Sequence, residues 1–386
     1  MKNLIRPMLF TISLLALPST SQAQEAASSP SIQNALQPFV EKHELAGAVT
    51  LVADKDKILS INTVGFADIA AKKPMKADCL FWIASQSKPI TAVGLMMLIE
   101  SGKVKLDDPV SRYLPEFNNQ WVIAEKKNDQ LVLKKPKTPV TVRHVLSHTS
   151  GMPFASSLET PTLDMLVLKD AVRSYALTPL NTEPGTKYNY SNAGINTAAR
   201  IIEVVTGKKY EDYMDEMLFK PLGMKDTTFW PNEEQLTRLA KTFRPNAAKN
   251  DLEETTISQL TYPLNDHKRQ PMPAGGLFST AVDVSKFCRM LLNGGKLDGK
   301  QYLTEASIKE MTKKQTAEGI KDNYGLGFSA GESFGHGGAL STNMSVETKP
   351  GLVLVWLVQH AGYPGKGGES QGAFRQAAYK EFAKPK

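Results

Sequence analysis

One serine in the chain, Ser85, is followed three residues later by a lysine, Lys88, and no other serine has that spacing. The pair lies in Phe81-Trp82-Ile83-Ala84-Ser85-Gln86-Ser87-Lys88, directly ahead of an apolar helical stretch from Thr91 to Glu100. In a helix starting at Ser85, residues three apart share a face, so the lysine amine can reach the serine hydroxyl. Serine is a weak nucleophile until a neighbouring base takes its proton. Lysine can be that base when burial or nearby positive charge keeps it partly neutral. A helix N-terminus adds backbone N–H groups and partial positive charge that favour an oxyanion. The chemistry available is acyl transfer through a serine ester.

Two further segments carry reactive or permissive residues. Tyr190-Ser191-Asn192 follows Pro184-Gly185 and precedes a helix from Ala193. A phenol at a helix entry can relay a proton and an amide can orient a lysine or a substrate carbonyl, whereas an ordinary Asn192 would simply cap the helix. Phe334-Gly335-His336-Gly337-Gly338-Ala339 precedes a hairpin near the C-terminus, and glycines in a strand let a ligand or another backbone come close. One competitor is Gly327-Phe328-Ser329-Ala330-Gly331, which matches the G-x-S-x-G elbow. That elbow needs a helix after its serine and an acid later in the chain. The residues after Ser329 have no helical period, and no Asp follows them. His144 and His148 have i, i+4 spacing without H-E-x-x-H around them, and Cys79 and Cys288 are too far apart for a zinc motif. No metal and no cofactor are expected.

These residues need a scaffold to bring them together. Ser31 to His43 has helical spacing of Ile32, Leu36, Phe39 and Val40, and Ala48 to Ala53 with Ile58 to Val64 reads as a hairpin. At the other end, Thr342 to Glu347 and Leu352 to Val358 flank a Pro350-Gly351 turn. The second of these runs is wholly apolar, as in a central strand buried on both faces. Phe374 to Phe382 closes the chain as a helix. In between, Thr91 to Glu100, Val142 to Leu146, Ala193 to Val205, Tyr210 to Leu218 and Val284 to Leu292 are helical in pattern. The expected fold is α+β: an antiparallel sheet built from both chain ends, flanked by helices, with a mostly helical inserted subdomain. The α/β part covers about 31–84 and 321–386, and the helical part about 85–320. A cleft between the two is the natural place for a site. Asn118 to Pro139 and Arg244 to Pro273 read as polar loops framing its mouth, where Lys268 or Arg269 could supply an anion site.

Of the 386 residues 41% are hydrophobic and 22% charged, which excludes a disordered chain or a disulfide-stapled miniprotein. Formal charge is +7, from 46 basic and 39 acidic residues, and no stretch gathers the Lys/Arg density of a nucleic-acid patch. Met1 to Ala23 has a basic start, an apolar run from Met8 to Leu17 and small residues Ser21 and Ala23, the layout of a signal peptide cut after Ala23. The run is too short to anchor the chain in a bilayer. The expectation is a periplasmic or secreted protein with one domain over 24–386 and no stable membrane insertion. Cys79 and Cys288 could form one disulfide in an oxidising compartment, although the helical setting of Cys288 suits a buried free thiol.

Taken together and in this order, the three segments resemble the serine β-lactamase and penicillin-binding-protein superfamily. Ser85-x-x-Lys88 matches its first motif, Tyr190-Ser191-Asn192 the Tyr-x-Asn of class C enzymes and related esterases, and His336-Gly337-Gly338 stands where Lys-Thr-Gly is usual. Leu146-Ser147-His148-Thr149-Ser150-Gly151-Met152, Phe219-Lys220-Pro221-Leu222-Gly223-Met224 and Ala274-Gly275-Gly276-Leu277-Phe278-Ser279-Thr280 also look like this group, so the resemblance spans roughly 31 to 380. It implies Ser85 as nucleophile, Lys88 and Tyr190 sharing base and relay work, and Asn192 orienting the lysine or a substrate amide. His336 and Gly338 would line the strand edge of the cleft, with the backbone N–H groups of Ser85 and Ala339 as the oxyanion hole. The implied activity is an acyl-enzyme hydrolase on a small ester or amide, in the first place a class C-like (family VIII) carboxylesterase. A β-lactamase, a DD-peptidase and a D-aminopeptidase share that chemistry, and a catalytically silent cell-wall-binding protein would share the fold. Histidine in place of the motif's lysine removes a fixed cation and favours neutral esters.

Overall fold

The computed structural model describes residues 27–383, so the expected leader, 1–23, lies outside the described residues. Six strands form one antiparallel sheet: β1 (Gly47–Ala53), β2 (Ile58–Asp68), β3 (Lys73–Pro74), β4 (Ser333–Gly337), β5 (Asn343–Glu347) and β6 (Leu352–Leu357), in the order β4-β5-β6-β1-β2-β3. The two chain ends meet in the middle, where β1 pairs with β6 from Val49↔Leu357 to Ala53↔Val353. Both of these strands are buried along their whole length. Side chains alternate faces along a strand, so a doubly covered strand must be apolar at every position.

One face of the sheet is covered by helices α1 (Pro30–Glu41) and α5 (Ser370–Phe382), which pack Ile32, Leu36 and Phe374 against Ala48, Val52, Leu354 and Trp356. On the other face, the cluster holding Val49, Leu51, Val353 and Val355 also takes in Val284, Phe287 and Cys288 of helix α4 (Ala281–Leu292). Cys79 and Cys288 are both buried and free. Helix α2 (Ser87–Glu100) is buried almost all round, as expected of a helix apolar on every face. Helix α3 (Asn192–Thr206) packs against it within the helical region.

Three elements differ from the sequence reading. The polar stretch taken as the first loop contains an exposed hairpin, Val122–Lys127 with Gln130–Lys134, and lines neither lobe of the cleft described below. Leu168–Leu177, unassigned from pattern, is a helix. The helix after Tyr210 passes at Asp215–Phe219 into π geometry. Among the described residues no helix is long and apolar enough to cross a membrane.

Candidate active site

Ser85 sits in a 3₁₀ turn, Ala84–Gln86, and α2 begins only at Ser87. The expected helix start at Ser85 is therefore displaced by two residues. Ala84 takes a positive φ of 47°, a conformation costly for a residue with a Cβ. The turn is held from both sides. Phe81–Trp82 pairs with Phe278–Ser279, the Ile83 N–H donates to Leu277 O at 2.9 Å, and the Ser87 hydroxyl donates to Ala84 O at 2.6 Å.

Lys88 lies beneath the turn, fully buried, with Nζ 3.0 Å from Ser85 Oγ and 2.7 Å from Ala274 O. It also sits 4.6 Å from the centre of the Tyr190 ring. Among the described residues no carboxylate pairs with it, and burial holds its amine well below the ordinary lysine range. A neutral amine has one lone pair and two hydrogens. With one hydrogen directed to Ala274 O, the lone pair is free for the Ser85 proton.

Tyr190 precedes α3, whose N-cap is Ser191: its hydroxyl accepts from Gly194 N at 3.0 Å. Asn192 is thus the first helical residue and not the cap. Its Oδ1 is buried without a partner, and the residue lines the cavity in front of Ser85. Burial pushes the Tyr190 phenol up to about 12, against the opposing pull of a hydrogen bond with Ser85. The ring leans on His148, with centroids 4.6 Å apart. In the sequence His148 stood out only for its i, i+4 spacing to His144 and its place in Leu146–Met152. The structure places it, fully buried at a positive φ of 58°, under Tyr190, with Nδ1 accepting from Ser191 N at 3.2 Å. Its signal was the spacing to His144, which pointed at metal. Among the described residues no group of His, Cys, Asp and Glu could hold one.

The third segment forms edge strand β4 and the tight turn after it. A Cβ on Gly338 would lie 2.6 Å from Ile83 O and 2.2 Å from Thr342 Oγ1. Only glycine lets this strand end approach the Ser85 turn so closely. Ser85, Tyr190, Asn192, Gly338 and Ala339 share one cavity of about 320 Å³, walled by Trp82, Phe154 and Met272. His336 points elsewhere, into an adjoining lobe of about 600 Å³ that shares Tyr190 and Gly337 with the first. Its Nδ1–H donates to Gly337 O at 2.6 Å, so Nε2 accepts from Tyr324 OH at 3.0 Å. Burial and the nearby Lys88 lower its pKa to about 3. With both nitrogens engaged, His336 is a neutral wall group.

The remaining candidates separate cleanly. Ser329 pairs with β4, through its N–H to Gly335 O at 3.0 Å, and a strand, not a helix, comes directly after it, so the elbow reading fails. Arg269 does not reach the mouth of the cavity. It is buried, with Nε 2.7 Å from Asp164 Oδ2 and Nη1 donating to Leu264 O at 2.6 Å. A guanidinium with five N–H donors to satisfy is cheaper to bury beside a carboxylate than alone. Lys268 is exposed and lines neither lobe. The second polar loop does frame the cavity, through Gln259 and Met272.

A strand edge, a serine turn and a buried lysine meeting at a sheet–helix cleft define a serine hydrolase of the β-lactamase fold. The β-lactamase family profile matches residues 32–378, and the chain belongs to that family. It is 31% identical to protein Rv1367c of Mycobacterium tuberculosis over 318 residues, covering 79% of this chain and 76% of the relative. Esterase EstB of Burkholderia gladioli is 32% identical over 206 residues, 49% of this chain and 48% of that protein. Among solved structures, EstCE1, a hydrolase with promiscuous acyltransferase activity, superposes with a TM-score of 0.76 at 24% identity over 90% of this chain and 97% of the other, a likeness of fold.

Proposed function

We propose that the protein is an exported carboxylesterase that acts on short, neutral acyl esters through an acyl-enzyme on Ser85. The observation that carries this reading is Lys88, fully buried, without an acidic partner among the described residues, and 3.0 Å from Ser85 Oγ. The Lys88 amine takes the Ser85 proton as Oγ attacks the ester carbonyl. The carbonyl oxygen becomes an oxyanion facing the backbone N–H groups of Ser85 and Ala339. As the tetrahedral adduct collapses, the proton passes to the departing alkoxide, and the Tyr190 hydroxyl, which borders both lobes, is the relay. Water then repeats the sequence and releases the acid. The export step rests on the leader pattern at 1–23.

The cavity walls support the proposed substrate class. Among the described residues no lysine or arginine lines the lobe in front of Ser85, whose walls include Trp82, Phe154 and Met272. An acyl group with a free carboxylate would lose its hydration there without gaining a cation. EstB, a named esterase among the relatives, supports the same direction. The test is a panel of size-matched ester pairs differing in one carboxylate, with a chromogenic cephalosporin and D-Ala-D-Ala peptides alongside, for the wild type and Ser85→Ala. Preference for the neutral member and loss of all turnover in Ser85→Ala are expected. Equal or better turnover of the anionic member would move the enzyme to the lactamase or peptidase branch.

A further inference from the structure

Behind the Ser85–Lys88 pair runs a buried chain of hydrogen bonds that none of the three sequence motifs contains. The Tyr175 hydroxyl donates to Glu159 Oε1 at 2.6 Å, and Asn196 Nδ2 donates to the same phenolic oxygen at 3.0 Å. Asn196 Oδ1 then accepts from the Ala274 N–H at 3.1 Å, and Ala274 O accepts from Lys88 Nζ at 2.7 Å. Glu159, Tyr175, Asn196 and Ala274 are all buried. The other oxygen of Glu159 accepts from Ser156 N at 2.7 Å, which anchors the far end.

The peptide joining Pro273 and Ala274 is gripped from both sides. The Thr91 hydroxyl, on α2 one turn beyond Lys88, donates to Pro273 O at 2.8 Å, while Asn196 on α3 holds the Ala274 N–H. Past Ala274 O, the Gly275 carbonyl accepts from Trp82 Nε1 at 2.7 Å. A short turn fixed at successive peptide groups has little freedom, so the Ala274 carbonyl is aimed by its neighbours and not by its own φ and ψ preferences. The direction of the Lys88 lone pair depends on that carbonyl, and so does the comfort of the ammonium that forms when Ser85 gives up its proton.

We infer that Asn196, backed by Tyr175 and Glu159, is a positioning residue that holds the Ala274 carbonyl on Lys88 and thereby sets when Lys88 is available as a base. The inference rests on the acyl-enzyme reading of Ser85 and Lys88. Its direction is fixed by chemistry. Asn196→Leu keeps roughly the same volume but frees the turn, so the ammonium loses an aimed acceptor while the neutral amine loses its orientation. The first effect moves the ascending, Lys88-dependent limb of the kcat/KM–pH profile to lower pH. The second lowers kcat by about tenfold with KM little changed, on the scale of a lost, well-placed hydrogen bond and a small misalignment. Tyr175→Phe removes one oxygen, leaves the Asn196–Ala274 contact in place, and should give a smaller change in the same directions.

The experiment measures pH profiles of ester hydrolysis and of fluorophosphonate labelling for wild type, Asn196→Leu and Tyr175→Phe, with thermal melts to confirm folding. A lower limb together with a lower kcat supports the inference. A wild-type profile, or a fall in rate with the limb unmoved, overturns it. If Asn196→Leu fails to fold, Tyr175→Phe decides by the same two readouts. Ser85→Ala separates the two levels: turnover surviving in that variant removes the acyl-enzyme reading and this inference with it, whereas turnover lost there but unchanged in both positioning variants removes the inference alone.

Discussion

Gly338 offers the sharpest test of how the cleft is assembled. An alanine Cβ at this position would stand 2.6 Å from Ile83 O and 2.2 Å from Thr342 Oγ1. The Thr342 side chain can rotate away, but Ile83 O is backbone, locked into the turn whose own N–H donates to Leu277 O. Restoring an ordinary 3.4 Å contact from 2.6 Å requires the end of β4 to retreat by about 0.8 Å. That retreat carries the Ala339 N–H away from the site of the developing oxyanion. A misplacement on the order of 1 Å costs about a hundredfold in rate, and loss of one oxyanion donor costs about the same or more. Gly338→Ala should therefore lower kcat for a p-nitrophenyl ester by about two decades, with a stability loss of roughly 1–3 kcal/mol from overpacking. Steady-state hydrolysis, the rate of fluorophosphonate labelling and urea unfolding on the same preparation separate the two effects. A wild-type kcat, or a loss that tracks only the unfolded fraction, would refute the argument that this strand end sets the oxyanion geometry.

The pH dependence gives a second check. Because burial lowers the Lys88 pKa and activity needs the neutral amine, kcat/KM should rise with pH through one limb and then stay level, since Tyr190 holds its proton up to about 12. His336, at about 3, should contribute no limb near 6.5, and a limb there that disappears in His336→Asn would contradict its assignment as a neutral wall group. Lys88→Arg, which keeps the charge but offers no neutral amine, should cost two or more decades in turnover. Away from the cleft, Arg269→Met leaves Asp164 buried and unpaired and should lower the unfolding free energy by about 3–5 kcal/mol in urea titration, whereas an unchanged midpoint would show the pair to be dispensable.

The parts of the fold that could be read in advance are those where one local pattern has one physical outcome. Leu352 to Val358 is apolar at every position, and it became the strand covered on both faces. Ser85 alone had the spacing to Lys88, and three residues still bring the pair to 3.0 Å although the helix starts later than expected. What escaped was decided by partners distant in sequence. His148 meets Ser191 across 43 residues, Asn196 meets Ala274 across 78, and Arg269 meets Asp164 across 105. No local pattern distinguishes a buried arginine with a waiting carboxylate from an exposed one. The hairpin at 122–134 was missed for a related reason: Leu131, Val132 and Leu133 are all exposed, so no alternation marks its strands.

The pairing of β1 with β6 has a consequence for the order in which the protein comes into being. Its sheet cannot close until the last strand has left the ribosome, because the central ladder joins residues near 50 to residues near 355. Such distant pairings form late and leave earlier intermediates with open strand edges. Ser85 and Lys88 are made early, but Gly338 and Ala339, which finish the cavity, arrive more than two hundred residues later. A chain arrested or clipped before β4 therefore carries the reactive pair without the edge that would stabilise an oxyanion. On the proposed reading of Ser85, the pair therefore gains its oxyanion edge only when β4 and the turn after it have folded against the Ser85 turn.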